Sequence, residues 1–437
     1  MHGIKQIFNI FHKFRRTDLF KTSFGNGIAT IIKLFTGLVS NKIVAIYLGP
    51  AGIALLAQFQ NFVEITGYFA NFGVNNGITK YIAEHQTDEK KTASYISTGF
   101  YITLFGTFLL SCVIFFGRFY FSDHLLQTRQ YSYIFIILSL SMLLITLNTF
   151  VISVLNGYKE FKIIIIRNIV AALVSLAITV LLVIKWKLHG ALIGVILSQI
   201  VVFFIVVGVI RRFSWFKLTV FLKNFHKSTV FNLSKFSIMS LSIVAFVFVQ
   251  LQIRNYIINH ISVVEAGHWQ AIVRISDIYL MVITNTLILY YLPRLSEIKS
   301  KIVLRNEILK GYAFIMPLTI FSAACIFFVK GFVVRLLFSA EFLPMLPLFK
   351  FQLLGDVFKV ASWMLSVTMM AKAMTYVYII TDLVFCVINY LLAVFFINTF
   401  GIIGATYAFA IHYFLYLCTL IFIFRKTLFI KAGKNEI

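Results

Sequence analysis

Charge is what this chain has least of. Only 12% of its 437 residues are Asp, Glu, Lys or Arg, against about 25% in an ordinary soluble domain. Acidic residues are scarcer still, 15 against 39 basic ones. Cysteine is rare too. Cys112, Cys325, Cys386 and Cys418 all fall inside apolar stretches, with no CxxC spacing. That pattern argues against disulfides and zinc ligation, and leaves them as small packing residues. The nine histidines include no HExxH or similar spacing, so neither a metal site nor a cofactor is expected. Long polar segments are also missing. The longest, Arg211 to Ser234, is about 24 residues, too short for a domain of its own. A membrane enzyme can build its site from spans and short loops, so this weakens an enzymatic reading without excluding it.

What is present is apolar mass. Hydrophobic residues make up 60% of the chain, and Phe alone takes 49 positions. A single soluble core stops growing beyond roughly 250–300 residues, so the solvent for most of this sequence is lipid. The net charge of +24 would suggest nucleic-acid binding in a soluble protein. Here the basic residues sit in short segments between apolar runs, the pattern that orients membrane helices. Residues 1–21 place Ile4, Ile7, Phe8, Phe11 and Phe14 at helical spacing between Lys5, Lys13, Arg15 and Arg16. They read as an uncleaved amphipathic segment lying on the cytoplasmic face.

A helix needs about 20 apolar residues to cross the hydrocarbon. On that ruler, spans are expected at 22–47, 53–80, 93–117, 129–155, 163–185 and 188–210, and then at 235–259, 267–292, 311–338, 345–371, 374–398 and 401–424. The expected class is an all-α polytopic membrane protein of about twelve helices in two six-helix bundles. The bundles cover 22–210 and 235–425, with a basic cytoplasmic linker at 211–234 and a cytoplasmic tail at 426–437. Sorting Lys and Arg by loop places both termini in the cytoplasm. Arg211–Lys235 and Arg294–Lys310 are the richest segments, whereas the turns Leu48–Gly52 and His260–Gly267 have none. A faint echo links the halves. Pro50-Ala51-Gly52-Ile53 in one turn matches Glu265-Ala266-Gly267-His268 in another, at an offset of about 215 residues.

An ionisable residue inside a span costs several kcal/mol, so a partner, water or a function must explain it. The candidates are Lys33, Lys42, Glu64, Arg254, Arg274, Asp277, Asp356, Lys359 and Asp382. Lys42 and Arg254 each lie about five residues from the external end of a span, and Arg274 about seven down, or roughly 10 Å. All three can converge on one outward-side cavity between the halves. Snorkelling to the interface is the bland alternative for Lys42 and Arg254. Arg274 with Asp277, and Asp356 with Lys359, stand at i, i+3 and can pair within their helices. Lys33 and Glu64 lie near the middles of neighbouring antiparallel spans and can pair across them, which makes Glu64 a proton-relay candidate. Lys33 and Lys42 line one cavity only if the helix bends, which Gly37 permits. Surplus positive charge deep between two helical halves suits an anionic amphiphile, with phosphate the obvious anion.

Several stretches carry a family resemblance. They are Asn41 to Gly52 (NKIVAIYLGPAG), Asn76 to Tyr81 (NGITKY), Ser234 to Ser237 (SKFS), Gly267 to Gln270 (GHWQ), Arg274 to Asp277 (RISD), Tyr291 to Ser296 (YLPRLS) and Gln352 to Lys359 (QLLGDVFK). In order and spacing they resemble the Wzx-type polysaccharide flippases that serve O-antigen and enterobacterial common antigen (lipid III) synthesis. These belong to the MATE-like multidrug/oligosaccharidyl-lipid/polysaccharide exporter superfamily. The resemblance implies two six-helix bundles, alternating access and a bacterial inner membrane. It also implies an undecaprenyl-diphosphate-linked oligosaccharide as substrate, with a polysaccharide polymerase and a chain-length regulator as partners. The working assignment puts Lys42, Arg254 and Arg274 on the diphosphate, and Lys33, Glu64, Asp277, Asp356 and Lys359 in coupling or gating. A multidrug exporter of the same fold is the near rival, and a membrane-embedded glycan polymerase or ligase the distant one.

Overall fold

A computed structural model describes residues 18–211, 213, 216, 218–221, 227–286 and 291–429. The expected amphipathic segment therefore falls almost wholly outside the described residues. So do parts of the 211–234 linker and the tail from residue 430. Every element among the described residues is helical, as lipid requires of a chain that is not a closed barrel.

The long helices are α1 (Asp18–Ala70), α2 (Asn75–Glu84), α3 (Glu89–Phe116), α4 (Ser132–Gly157), α5 (Phe161–Ile210) and α6 (Lys227–His260). They continue as α7 (Val263–Thr286), α8 (Lys301–Phe328), α9 (Phe349–Ala371), α10 (Thr375–Phe400) and α11 (Ile402–Ile423). Eight helices among the described residues are long and apolar enough to cross a membrane. Two of these are double. α1 is broken at Gly49 (φ 62, ψ −171) and α5 at Lys187 (φ 47, ψ −126), so each covers two expected spans. Large apolar side chains such as Phe314, Phe321 and Phe328 lie exposed along α8. So continuous a belt suits lipid, not water. The protein is a multi-pass membrane protein.

The breaks follow from local chemistry. Pro50 disfavours helical geometry in the residue before it, and Gly49 accepts the positive φ that reverses the chain. Asp88 caps α3, accepting from the N–H groups of Lys90 at 3.1 Å and Lys91 at 3.0 Å. That bonding, the Lys91 N–H foremost, lowers the pKa of its carboxyl.

Backbone geometry repeats at one offset of about 214 residues. Lys159 and Ala373 both take positive φ at helix ends, and the residue after each bonds back to Leu155 and Met369 respectively. Lys187 and Gly401 both take positive φ three residues before a crowded glycine. A Cβ on Gly190 would lie 1.9 Å from the Leu182 carbonyl oxygen, and one on Gly404 would lie 2.0 Å from that of Phe396.

The chain forms two compact units. One comprises Met1–Tyr47 with Val63–Leu241, the other Leu48–Phe62 with Ser242–Ile437. In the first unit α4 packs on α2, α3 and α5, around buried Ile78, Ile96, Phe150 and Val154. In the second, α9 is central and touches α7, α8, α10 and α11. Its core includes Leu280, Ile308, Met364, Leu365 and Leu420. Gly355 lets α9 approach α11, since a Cβ there would lie 2.4 Å from the Phe409 ring.

Candidate functional site

The second unit gathers most of the ionisable residues that the spans carry. Arg254, on α6, is only 2% exposed. Its Nε donates to Gln270 Oε1 at 3.1 Å, Nη2 donates to the same oxygen, and Nη1 donates to Gln58 Oε1 at 3.1 Å. The Trp269 ring lies 5.7 Å from the guanidinium carbon. Gln58 is fully buried and donates to the Leu251 carbonyl at 3.4 Å. A buried guanidinium thus rests on neutral amides, with no carboxylate paired to it among the described residues. Two residues along from Gln58, Gln60 accepts from Arg274 Nη2 at 3.0 Å. Gln58 and Gln60 belong to the short stretch after Gly49, so one turn of that helix supplies acceptors to both arginines.

The same stretch is clamped at its tip. A Cβ on Gly267 would lie 2.0 Å from the Pro50 carbonyl oxygen, and one on Gly49 would lie 2.8 Å from Glu341 Oε2. His268 Nε2 donates to the Glu341 carbonyl at 3.1 Å, and its Nδ1 lies 3.3 Å from Glu265 Oε2. The two turns that share the Ala-Gly echo therefore meet directly.

A second cluster joins α7 to α9. Asp356 is fully buried, and its Oδ2 accepts from Ser276 Oγ at 2.6 Å and Tyr279 OH at 2.8 Å. Its Oδ1 has no partner among the described residues. Gln352 donates to Ser276 Oγ at 3.2 Å. Lys359 Nζ lies 3.7 Å from Asp277 Oδ1. Helical spacing points to i, i+3 pairs within each helix. The pairing seen for Lys359 runs across helices instead, and Asp356 is held by two hydroxyls of α7. The reason is rotational: Ser276 and Tyr279 face α9, while Asp277 turns outward, 62% exposed.

The first unit holds Lys33, Lys42 and Glu64. Lys33 and Glu64 are exposed, and no ion pair joins them among the described residues, contrary to the expected cross-span pair. Lys42 is half-buried.

A family profile described as polysaccharide biosynthesis protein matches residues 19–299. The chain belongs to this family. As a polysaccharide biosynthesis family member it is 27% identical over 414 residues to a protein of Escherichia coli (strain K12) named lipid III flippase. The match takes in 93% of this chain and 98% of that one. Among solved structures, an inward-facing MATE family multidrug resistance transporter of the MOP superfamily aligns with TM-score 0.75 at 14% identity. That alignment covers 91% of this chain and 94% of the other. The lipid II flippase MurJ in an inward closed conformation aligns with TM-score 0.69 at 16% identity, covering 92% and 87%. The fold of this family member is MATE-like and all-α.

Charge alone does not reveal the residues that hold the arginines. Gln58, Gln60 and Gln270 are neutral. Their one signal in the sequence is polarity itself, since an amide inside a span also needs a partner.

Proposed function

We propose that the protein is a flippase for an undecaprenyl-diphosphate-linked oligosaccharide, working by alternating access in a bacterial inner membrane with both termini cytoplasmic. In this reading Arg254, Arg274 and Lys42 contact the diphosphate. Asp277, Asp356, Lys359, Lys33 and Glu64 serve coupling or gating. A polysaccharide polymerase and a chain-length regulator act alongside it.

The observation that carries the reading is Arg254. A buried cation is normally retained only with a counter-ion or for a function, and this one is satisfied by two glutamine oxygens. Neutral acceptors are the kind of partner a phosphate can displace, because charge-assisted bonds to an anion are roughly twice as strong. Arg274, on the same stretch of acceptors, gives a second cation for a two-phosphate headgroup. The name of the Escherichia coli relative supports a lipid-linked glycan as the cargo.

The test is reconstitution. Purified protein in liposomes is expected to move a labelled lipid-linked oligosaccharide between leaflets, and Arg274→Ala to slow that movement at least tenfold with normal folding. Export of an organic cation such as ethidium, with no movement of the lipid-linked glycan, would overturn the proposal in favour of a multidrug exporter.

A further inference from the structure

The second unit also contains a cavity of about 340 Å³, which the arginines do not line. Its apolar walls come from Phe246 of α6, Trp363 of α9 and Tyr413 of α11. Its polar points are Lys359 of α9, Asp382 of α10 and His412 of α11. Asp382 Oδ1 accepts from Tyr416 OH at 2.9 Å and the carboxylate also accepts from Tyr378 OH, and with about four lone-pair sites it can still take a further donor. His412 is only 6% exposed, yet its Nδ1 has no hydrogen-bond partner among the described residues. His412 lines the cavity, so a small rotation of its ring would present this unpaired nitrogen to a ligand, and an unsatisfied buried group calls for such a reason.

The fold itself does not ask for these groups. By the offset that relates the paired helix ends, the positions of Lys359, Asp382 and His412 correspond to Ile145, Asn168 and Ser198 in the first unit. The same architecture is therefore built there without an ammonium, a carboxylate or an imidazole. Their presence in the second unit calls for a reason other than packing.

We propose that this cavity is a subsite for a sugar ring of the transported glycan, an inference that rests on the flippase reading above. A pyranose has an apolar C–H face and a rim of hydroxyls. Aromatic walls suit the face, while Asp382, His412 Nδ1 and Lys359 supply an acceptor, a ring nitrogen and a donor for the rim. The volume sits at the small end of the roughly 300–1,000 Å³ typical of small-molecule sites. A metal ion is a poorer occupant, because the Lys359 ammonium lines the same space and repels it. A prenyl tail is poorer as well, since it would bring no partner for the His412 nitrogen and would press hydrocarbon against Asp382 and Lys359.

The test measures binding by the full-length protein in nanodiscs with two probes, lipid III and bare undecaprenyl diphosphate. Wild type is expected to bind lipid III more tightly. Trp363→Leu and His412→Phe should weaken lipid III binding about tenfold and leave undecaprenyl diphosphate binding unchanged. His412→Gln, which keeps a hydrogen-bonding group, should stay near wild type, and melting curves show which variants fold. Folded variants that bind lipid III as wild type does would overturn the subsite, as would equal wild-type affinity for both lipids. Wild type that binds neither lipid would overturn the flippase reading itself.

Discussion

Gly267 lies directly against Pro50, so close that a Cβ on the glycine would stand 2.0 Å from the proline carbonyl oxygen. The contact is backbone on backbone, which leaves no flexible side chain to give way. Gly267→Ala is expected to destabilise the protein by about 1–3 kcal/mol, the usual range for overpacking. Gly331 has nothing within 4 Å of its would-be Cβ, so Gly331→Ala serves as the control. It should be neutral or slightly stabilising, as for a helical glycine with open space around its Cβ position. Melting temperatures of the two variants in detergent check this. Equal melting points would mean that the two turns do not pack as described.

The Arg254 cluster predicts a non-additive cycle. Arg254→Met removes a buried charge, but it strands the oxygens of Gln58 and Gln270, at about 1–3 kcal/mol for each unsatisfied buried acceptor. Gln58→Leu alone removes one of the acceptors and leaves the guanidinium with Gln270 only. The double variant should therefore be more stable than the sum of the two losses implies, with a coupling of about 0.5–3 kcal/mol. Transport should be lost in both variants that lack Arg254, whatever their stability. A variant without Arg254 that transports normally would remove this residue from the anion site.

These two clusters show what could be read ahead of the structure. Long apolar runs without charge could only become membrane helices, and the Gly49-Pro50 pair announced a break between two of them. The shared Ala-Gly turns were legible as an echo, although not as a contact. Ionisable groups in α7 and α9 stood out because charge in a span is conspicuous. Their partners did not. Spacing along one helix identifies i, i+3 neighbours, but it carries no information about which face meets another helix. Spacing thus matches Asp277 with Arg274, whereas the salt bridge seen joins it to Lys359. Only depth matches Lys33 with Glu64, and depth does not set the rotation of either helix about its axis.

Asp356 separates folding from coupling. Its Oδ2 holds Ser276 and Tyr279, and Asp356→Asn can keep an acceptor in that place. Asp356→Leu cannot, and it strands two buried hydroxyls at about 1–3 kcal/mol each. The expectation is a stable Asn variant and a much less stable Leu variant by thermal melting. If Asp356 couples transport to an ion gradient, the Asn variant should also move lipid at a rate that no longer depends on the imposed gradient. A gradient-dependent Asn variant would assign Asp356 to structure alone.

The Lys359–Asp277 bridge leads to the opposite expectation for stability. Asp277 is 62% exposed and 3.7 Å from its partner, a separation and exposure typical of pairs worth about 0–1 kcal/mol. Asp277→Asn should therefore melt within a degree or two of wild type. Its functional effect should be larger, because an ionisable residue within a span is costly unless a partner, water or a function accounts for it, and this pair is loose. Freed from Asp277, the Lys359 ammonium keeps the attraction of Asp356 and the aromatic rings of Phe409 and Tyr413, each 5.9 Å away, but loses its ion pair. It would then bind anions more readily. Lipid-linked substrate should bind Asp277→Asn more tightly and leave it more slowly, which lowers turnover while raising affinity. Parallel measurement of binding and leaflet exchange distinguishes this from simple loss of the site, in which both would fall together.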